Sequence, residues 1–189
     1  MKALSILLNA CSEYCKHWDI CLNAKKSRLM YFGKRIGIGH QICLNGKLVE
    51  WADSWVYLGV TLKSSKIFNC SILERVKKFY RSANGIFRIE GRSNDTIMLR
   101  LMEAHCVPIL TYGIEIVHVI DRDEKRQLRV AYNSLFRKLF GYRWCESVSG
   151  LQGFLGRPTW EQLVEKRVAG FEKRIRDSEA NDLGRALLF

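Results

Sequence analysis

Residues 41–62 read QICLNGKLVEWADSWVYLGVTL, and they decide the fold class. Asn45-Gly46 stands between two short apolar runs, and this pair readily takes the positive φ angles of a tight hairpin turn. The run from Ser54 to Leu62 that follows is aromatic and β-branched, as strands are. Gly59 lies in its middle, where a glycine signals a bulge or a close approach of backbone to something else. Sheet therefore interrupts a chain whose remaining period is helical, and the expectation is an α+β protein.

Upstream, LNAKKSRLMYFGK (residues 22–34) reads as a polar turn between two strand-like runs, residues 20–22 and 28–32. Asn23, Lys26 and Ser27 form that turn. Before it, Leu4, Leu7, Leu8, Cys11, Cys15 and Trp18 recur at helical spacing and predict an amphipathic helix over residues 2–18. The opening imitates a secretory signal, but its apolar run, Ala3 to Leu8, falls short of the roughly 7–15 residues of an export core.

Downstream of Asn69 the period becomes helical. Ile72, Leu73, Val76, Phe79, Tyr80, Ala83, Ile86 and Phe87 line one face, with Arg75, Lys77, Lys78 and Arg81 largely off it. A second helix starts at Asn94 or Asp95, runs to about His105 and must kink or stop near Pro108. Ile97–Ile120 is apolar, but Arg100, Glu103, Pro108 and Glu115 interrupt it and exclude a membrane span. A third helix runs from Asp121 to Gly141, a natural C-cap. Leu128, Ala131, Tyr132, Leu135 and Leu139 form its apolar face, and Lys125, Arg126, Arg129, Arg137 and Lys138 make the other faces basic. The Gly-rich, aperiodic stretch over residues 141–158 reads as a linker. Thr159 and Gln162 then form a capping box that opens a last helix. Trp160, Leu163, Val164, Val168, Phe171 and Ile175 are its apolar stripe, and Lys166, Arg167, Lys173 and Arg174 its basic one.

The 189 residues suit one domain or a little more, and an apolar fraction of 48% allows a buried core. The net charge of +12 exceeds what solubility needs and points to a polyanionic partner, most often nucleic acid. Seven cysteines at irregular spacing read as free thiols in a reducing compartment. Cys11, Cys15 and Cys21 crowd near His17, but no C-x-x-C pair is present, so buried thiols are expected in place of a zinc site.

The order of helix, hairpins and helical bundle carries a resemblance. HWDICLNAKKSRLMYFG (residues 17–33) resembles the region just after the catalytic aspartates in reverse transcriptases of LINE-type (non-LTR) retrotransposons. The shared positions are Trp18, Ile20, Leu22, Asn23, Lys26, Ser27, Met30, Phe32 and Gly33. Asn45, Gly46, Tyr57, Leu58 and Gly59 match the family's next element, a hairpin followed by an aromatic-x-Tyr-Leu-Gly run. Pro108, Leu110, Tyr112, Gly113 and Glu115 match a third, in which Val117 replaces the family's Trp. NSLFRKLFG (residues 133–141) fits the run that follows.

The resemblance implies a palm remnant over residues 1–68, a helical thumb over 69–145, a linker over 146–158 and a C-terminal helical segment over 159–189. It implies that Asn23, Lys26 and Ser27 lie near the incoming nucleotide, where Lys26 could protonate the pyrophosphate leaving group as an auxiliary general acid. It implies that Tyr57, Leu58 and Gly59 are the primer grip. Arg75, Lys77, Lys78, Arg81, Lys125, Arg126, Arg129, Arg137 and Lys138 would hold a primer–template duplex of RNA and DNA by its phosphates. The location implied is intracellular, nuclear for a functional protein and otherwise cytoplasmic.

Polymerase chemistry needs carboxylates that hold two Mg²⁺ ions. The family supplies them upstream of the matched part, and this sequence contains no Asp-Asp pair. Asp121-x-Asp123 is the one carboxylate pair, and it opens a predicted helix, where acids suit the positive dipole end. The residues present are therefore expected to bind without polymerising, with no cofactor of their own, as a C-terminal slice of a reverse transcriptase, a gene-model fragment of a decayed element. The alternative is a stand-alone basic helical nucleic-acid-binding or interaction protein derived from such an element. Sheet edges cut from their partner strands invite aggregation, so residues 70–145 should behave better alone than the whole chain.

Overall fold

A computed structural model describes residues 2–34, 41–90, 94–115 and 120–178. The fold is mixed α+β: one helix, two small antiparallel sheets, then helices. It divides into two compact units, Met1–Cys70 and Ser71–Phe189.

The first unit opens with α1 (Lys2–His17), whose last turn carries Lys16, a cation placed at the negative end of the helix dipole. Strands β1 (Ile42–Leu44) and β2 (Lys47–Val49) pair antiparallel, Ile42 opposite Val49 and Leu44 opposite Lys47. Asn45 at φ 51° and Gly46 at φ 72° make the turn between them, the conformation that an Asn-Gly pair favours. Strands β3 (Ser54–Tyr57) and β4 (Val60–Lys63) form a second antiparallel hairpin. With β5 (Asn69–Ser71) they give a sheet of order β3-β4-β5. Ala24, Leu44 and Val49 are the buried heart of this unit, with Leu8, Leu22 and Leu29 packed against them.

Three expectations change here. Gly59 marks no bulge within one strand: Leu58 (φ 47°) and Gly59 (φ 76°) are the two-residue turn between β3 and β4. Residues 20–22 and 28–32 are not strands. A strand needs a ladder of partners, and here Leu29 makes a single parallel bridge to Trp51. The thiols of Cys11, Cys21 and Cys43 are exposed and that of Cys15 half-buried, since α1 rests only part of one face on the unit; Cys70 and Cys106 are buried, and all seven are free.

The second unit contains α2 (Leu73–Glu90), α3 (Asp95–His105), α4 (Val107–Thr111), α5 (Arg122–Phe140), α6 (Ser149–Phe154) and α7 (Trp160–Asp177). Phe79, Phe136, Ile72, Met98, Met102, Leu110 and Leu128 are among its fully buried apolar side chains, each contributing about 1.5–3 kcal/mol over an exposed position. The start of each long helix from α3 onward is set by a local signal. The Asn94 side chain accepts from the Thr96 and Ile97 amides at 2.9 and 3.2 Å. Asp121 caps α5 by accepting from the Asp123 amide at 3.0 Å, which is the capping role expected of that pair. Gly141 closes α5 at φ 73°. Thr159 and Gln162 form the reciprocal capping box of α7. Pro108 stands in the first turn of α4, where its missing N–H costs nothing, and Cys106 separates α4 from α3.

The aperiodic stretch after Gly141 is not structureless. It holds α6, beginning just after the buried Val148. The amide of Gln152, also buried, donates to the Asn133 side chain at 3.2 Å. Arg157 joins Glu103 at 2.7 Å, and the Tyr132 hydroxyl donates to the Pro158 carbonyl at 2.9 Å, so the start of α7 is fastened to α3 and α5. Beyond Trp160 the apolar stripe of α7 is only half covered, and Phe171 is 40% exposed. No helix of the described residues is long and apolar enough to cross a membrane. The position of Val117 lies outside the described residues.

Candidate nucleic-acid interface

In the first unit, Asn23, Lys26 and Ser27 build one turn. Asn23 caps the short 3₁₀ segment Ala24–Lys26 by accepting from the Lys26 amide at 3.2 Å, and the Ser27 hydroxyl donates to the Asn23 carbonyl at 2.9 Å. The Lys26 side chain is exposed. Arg28, which sequence reasoning passed over, locks the turn. Its guanidinium donates to the carbonyls of Lys25 and Ser27 at 2.7 and 2.8 Å. It also meets Glu50 at 3.3 Å and lies 4.5 Å from the centre of the Trp55 ring. The Leu29 amide donates to Glu50 and the Ala52 amide to Leu29, at 3.0 and 2.9 Å. The polar turn is thus tied to β3 and to the segment after β2. Tyr57 and Leu58 stand out at the hairpin tip, 61% and 70% exposed.

In the second unit the predicted basic residues divide into groups. Arg75 leaves the set. It is buried, donates to the Tyr112 carbonyl, and lies 5.0 Å from the centre of the Tyr112 ring. Helical period places it beside the apolar stripe, but the backbone turn at Tyr112-Gly113 needs a donor, and Arg75 reaches it. A Cβ at Gly113 (φ 59°) would stand 3.5 Å from the Arg75 guanidinium.

Lys77, Lys78 and Arg81 are exposed on the outer side of α2. Their field, led by the Lys77 hydrogen bond at 2.7 Å, holds the Glu74 carboxyl below its ordinary range. Lys125, Arg126 and Arg129 share a cleft of about 490 Å³ between α5 and α7 with Trp160. Glu161 and Glu165 line the same cleft, and Glu161 meets Arg129 at 3.6 Å, so part of its positive charge is offset. Arg126 also lines a cleft between α2 and α5. Arg137 and Lys138 line a further one, with Phe87, Tyr142 and Trp144. The two aromatic residues after α5 carried no periodic signal and could not be placed from sequence.

Among the described residues no group of three His, Cys, Asp or Glu side chains could hold a metal ion. What remains is a surface of exposed cations and aromatic side chains, suited to phosphates and bases.

Two curated relatives match along nearly the whole chain. The RNA-directed DNA polymerase from mobile element jockey of Drosophila melanogaster is 21% identical over 184 residues, 95% of this chain. Its counterpart from Drosophila funebris is 23% identical over 188 residues, 98% of this chain. The chain is similar to a LINE-type reverse transcriptase. It spans 20% of the length of either curated relative. No family model matches the chain, and no solved structure does. The motif residues that carry the similarity now have positions: Asn23 to Ser27 in the capped turn, Asn45-Gly46 and Leu58-Gly59 in hairpin turns, Pro108 at the start of α4, and Tyr112-Gly113 against Arg75.

Proposed function

We propose that this chain is a piece of an RNA-directed DNA polymerase of a non-LTR element, and that it grips the primer–template duplex. The observation that carries this reading is the run of cations on consecutive turns of α2 and α5: exposed Lys77, Lys78 and Arg81, then half-buried Lys125 with exposed Arg126 and Arg129. Among the described residues Lys78, Arg81 and Arg126 make no ion pair, which leaves them free for phosphate oxygens.

Residues 69–145 then act as a thumb, and the exposed tip at Tyr57, Leu58 and Gly59 as the primer grip. A left-handed Leu58 supports the second assignment, because strained backbone is commonly kept where it touches a ligand. Lys26, on its locked turn, would neutralise departing phosphate oxygens in the assembled polymerase. The two Mg²⁺ ions of that reaction would be held by carboxylates beyond those present here.

The test is binding of the full chain to a blunt RNA–DNA hybrid, read by fluorescence anisotropy over a series of salt concentrations. Affinity should fall steeply with salt, and hybrid should be preferred to single strands of equal length. Replacing Lys77, Lys78 and Arg81 together by Ala should lower the slope of log affinity against log salt by roughly 2–3. Equal affinity for any polyanion, heparin included, would sink the reading and leave a stand-alone basic module.

A further inference from the structure

The cleft between α2 and the C-terminal end of α5 is chemically unlike the others. Its volume is about 440 Å³. The side chains that give it character are Tyr80, Phe87, Arg137, Lys138, Tyr142 and Trp144, and no acidic residue lines it. Trp144 is 87% exposed and Tyr142 40%. With Tyr80, 38% exposed, they leave a group of aromatic rings open to water on one cleft.

The exposure is not the accident of a loose loop. Gly141 caps α5 in the left-handed conformation, and the Tyr142 amide returns to the Arg137 carbonyl at 2.9 Å. Arg137 Nε donates to the Glu146 carbonyl at 2.9 Å, and the Glu146 carboxylate accepts from the Arg143 amide. The loop that carries Trp144 is therefore tied at both ends. Across the cleft, Lys138 Nζ is held 2.7 Å from the Asn84 amide oxygen and 4.3 Å from the centre of the Phe87 ring. Lys138 is thus fixed over Phe87 in a cleft that Tyr142 and Trp144 also line.

We propose that this cleft is a second nucleic-acid site, which takes a single-stranded segment by stacking a base on Trp144 and pairing its phosphate with Lys138. The charge decides the occupant. An apolar peptide would strand two cations against its own surface, whereas a single strand matches both the cations and the rings. The site deepens the reading above, since both take nucleic acid, but it uses different residues. Duplex falls to the outer face of α2, and the single strand to the inner cleft.

The experiment compares the full chain with Trp144→Ala, Trp144→Phe, Lys138→Ala and the Lys77/Lys78/Arg81→Ala triple variant. The probes are a labelled 12-nucleotide oligo-uridine and a blunt hybrid. Trp144→Ala should weaken oligo-uridine binding roughly 5- to 100-fold, with hybrid affinity within about twofold. Trp144→Phe should retain most of it, and Lys138→Ala should lower the salt slope for the single strand by roughly 1. The triple variant should show the reverse pattern. An unchanged single-strand affinity in Trp144→Ala overturns the proposal, as does an equal loss on both probes. So does a dimer in solution that Trp144→Ala dissolves, because a second copy would then fill the cleft. Failure of the unaltered chain to bind the hybrid, with oligo-uridine still bound, would count against the duplex reading and leave this site standing.

Discussion

Arg75 and Tyr112 are joined twice: the guanidinium donates to the Tyr112 carbonyl, and it lies 5.0 Å from the centre of the same residue's ring. A basic residue on the first helix of the bundle therefore works inside the protein. Arg75→Ala leaves a carbonyl without this donor and should destabilise the second unit by about 1–3 kcal/mol. Lys78→Ala, on the exposed side of the same helix, should stay within about 0.5 kcal/mol. Denaturant melts of the two variants check this, and equal effects would remove Arg75 from the core.

Leu58 sits at φ 47° in the turn between β3 and β4 and is 70% exposed. A β-carbon costs about 1–2 kcal/mol in that region, and Asn tolerates it better by bonding locally. Leu58→Asn should raise the melting temperature, with a gain of about 0.5–1 kcal/mol. If hybrid affinity falls while stability rises, Leu58 is held there for contact. If both stay level, the turn is neither strained nor part of the grip.

The phenol of Tyr132 is pushed up to about 12 by burial first and by the Glu103 carboxylate second. Its neutral form donates to the Pro158 carbonyl. A folded value above the ordinary 10 means that the neutral form favours the folded state. This stability is complete below pH 10 and is lost as pH rises through 12. Tyr132→Phe should lack that alkaline loss and sit about 1 kcal/mol lower near pH 8. Chemical denaturation of both proteins between pH 8 and 12 gives the difference, in which the lysines common to both cancel.

The first unit rests on Ala24, Leu44 and Val49 with three half-buried leucines, while Ile6, Leu7, Tyr14 and Trp18 of its helix region stay more than half exposed. The second unit buries Phe79, Met98, Met102, Leu128 and Phe136 almost completely. Brief trypsin treatment should therefore cut within residues 1–70 first and leave a piece that begins near Ser71. A resistant core of residues 1–62 would contradict the expectation.

Features that depend on neighbours in sequence were legible from it. Asn45-Gly46, Gly141 and the Thr159/Gln162 box each set their own backbone within three or four residues, and each stands as read. Features that depend on distant partners were not. Arg75 looked like a surface cation because its acceptor lies 37 residues away. Gly59 looked like a bulge because β3 and β4 together read as one strand. Gln152 is buried against Asn133, which no period announces. The basic character of the candidate surface was plain from composition. Which cations share a cleft, and that Trp144 and Lys138 line the same one, depends on how α2 and α5 pack.

Glu124 lies in the first turn of α5, and its carboxylate accepts from the Ile72 amide at 2.9 Å across 52 residues of chain. That buried bond closes the N-terminal end of α2. During synthesis at roughly 5–20 residues per second, α2 would leave the ribosome several seconds before its partner acid. Until Glu124 emerges, the docking end of α2 has no partner for the Ile72 amide.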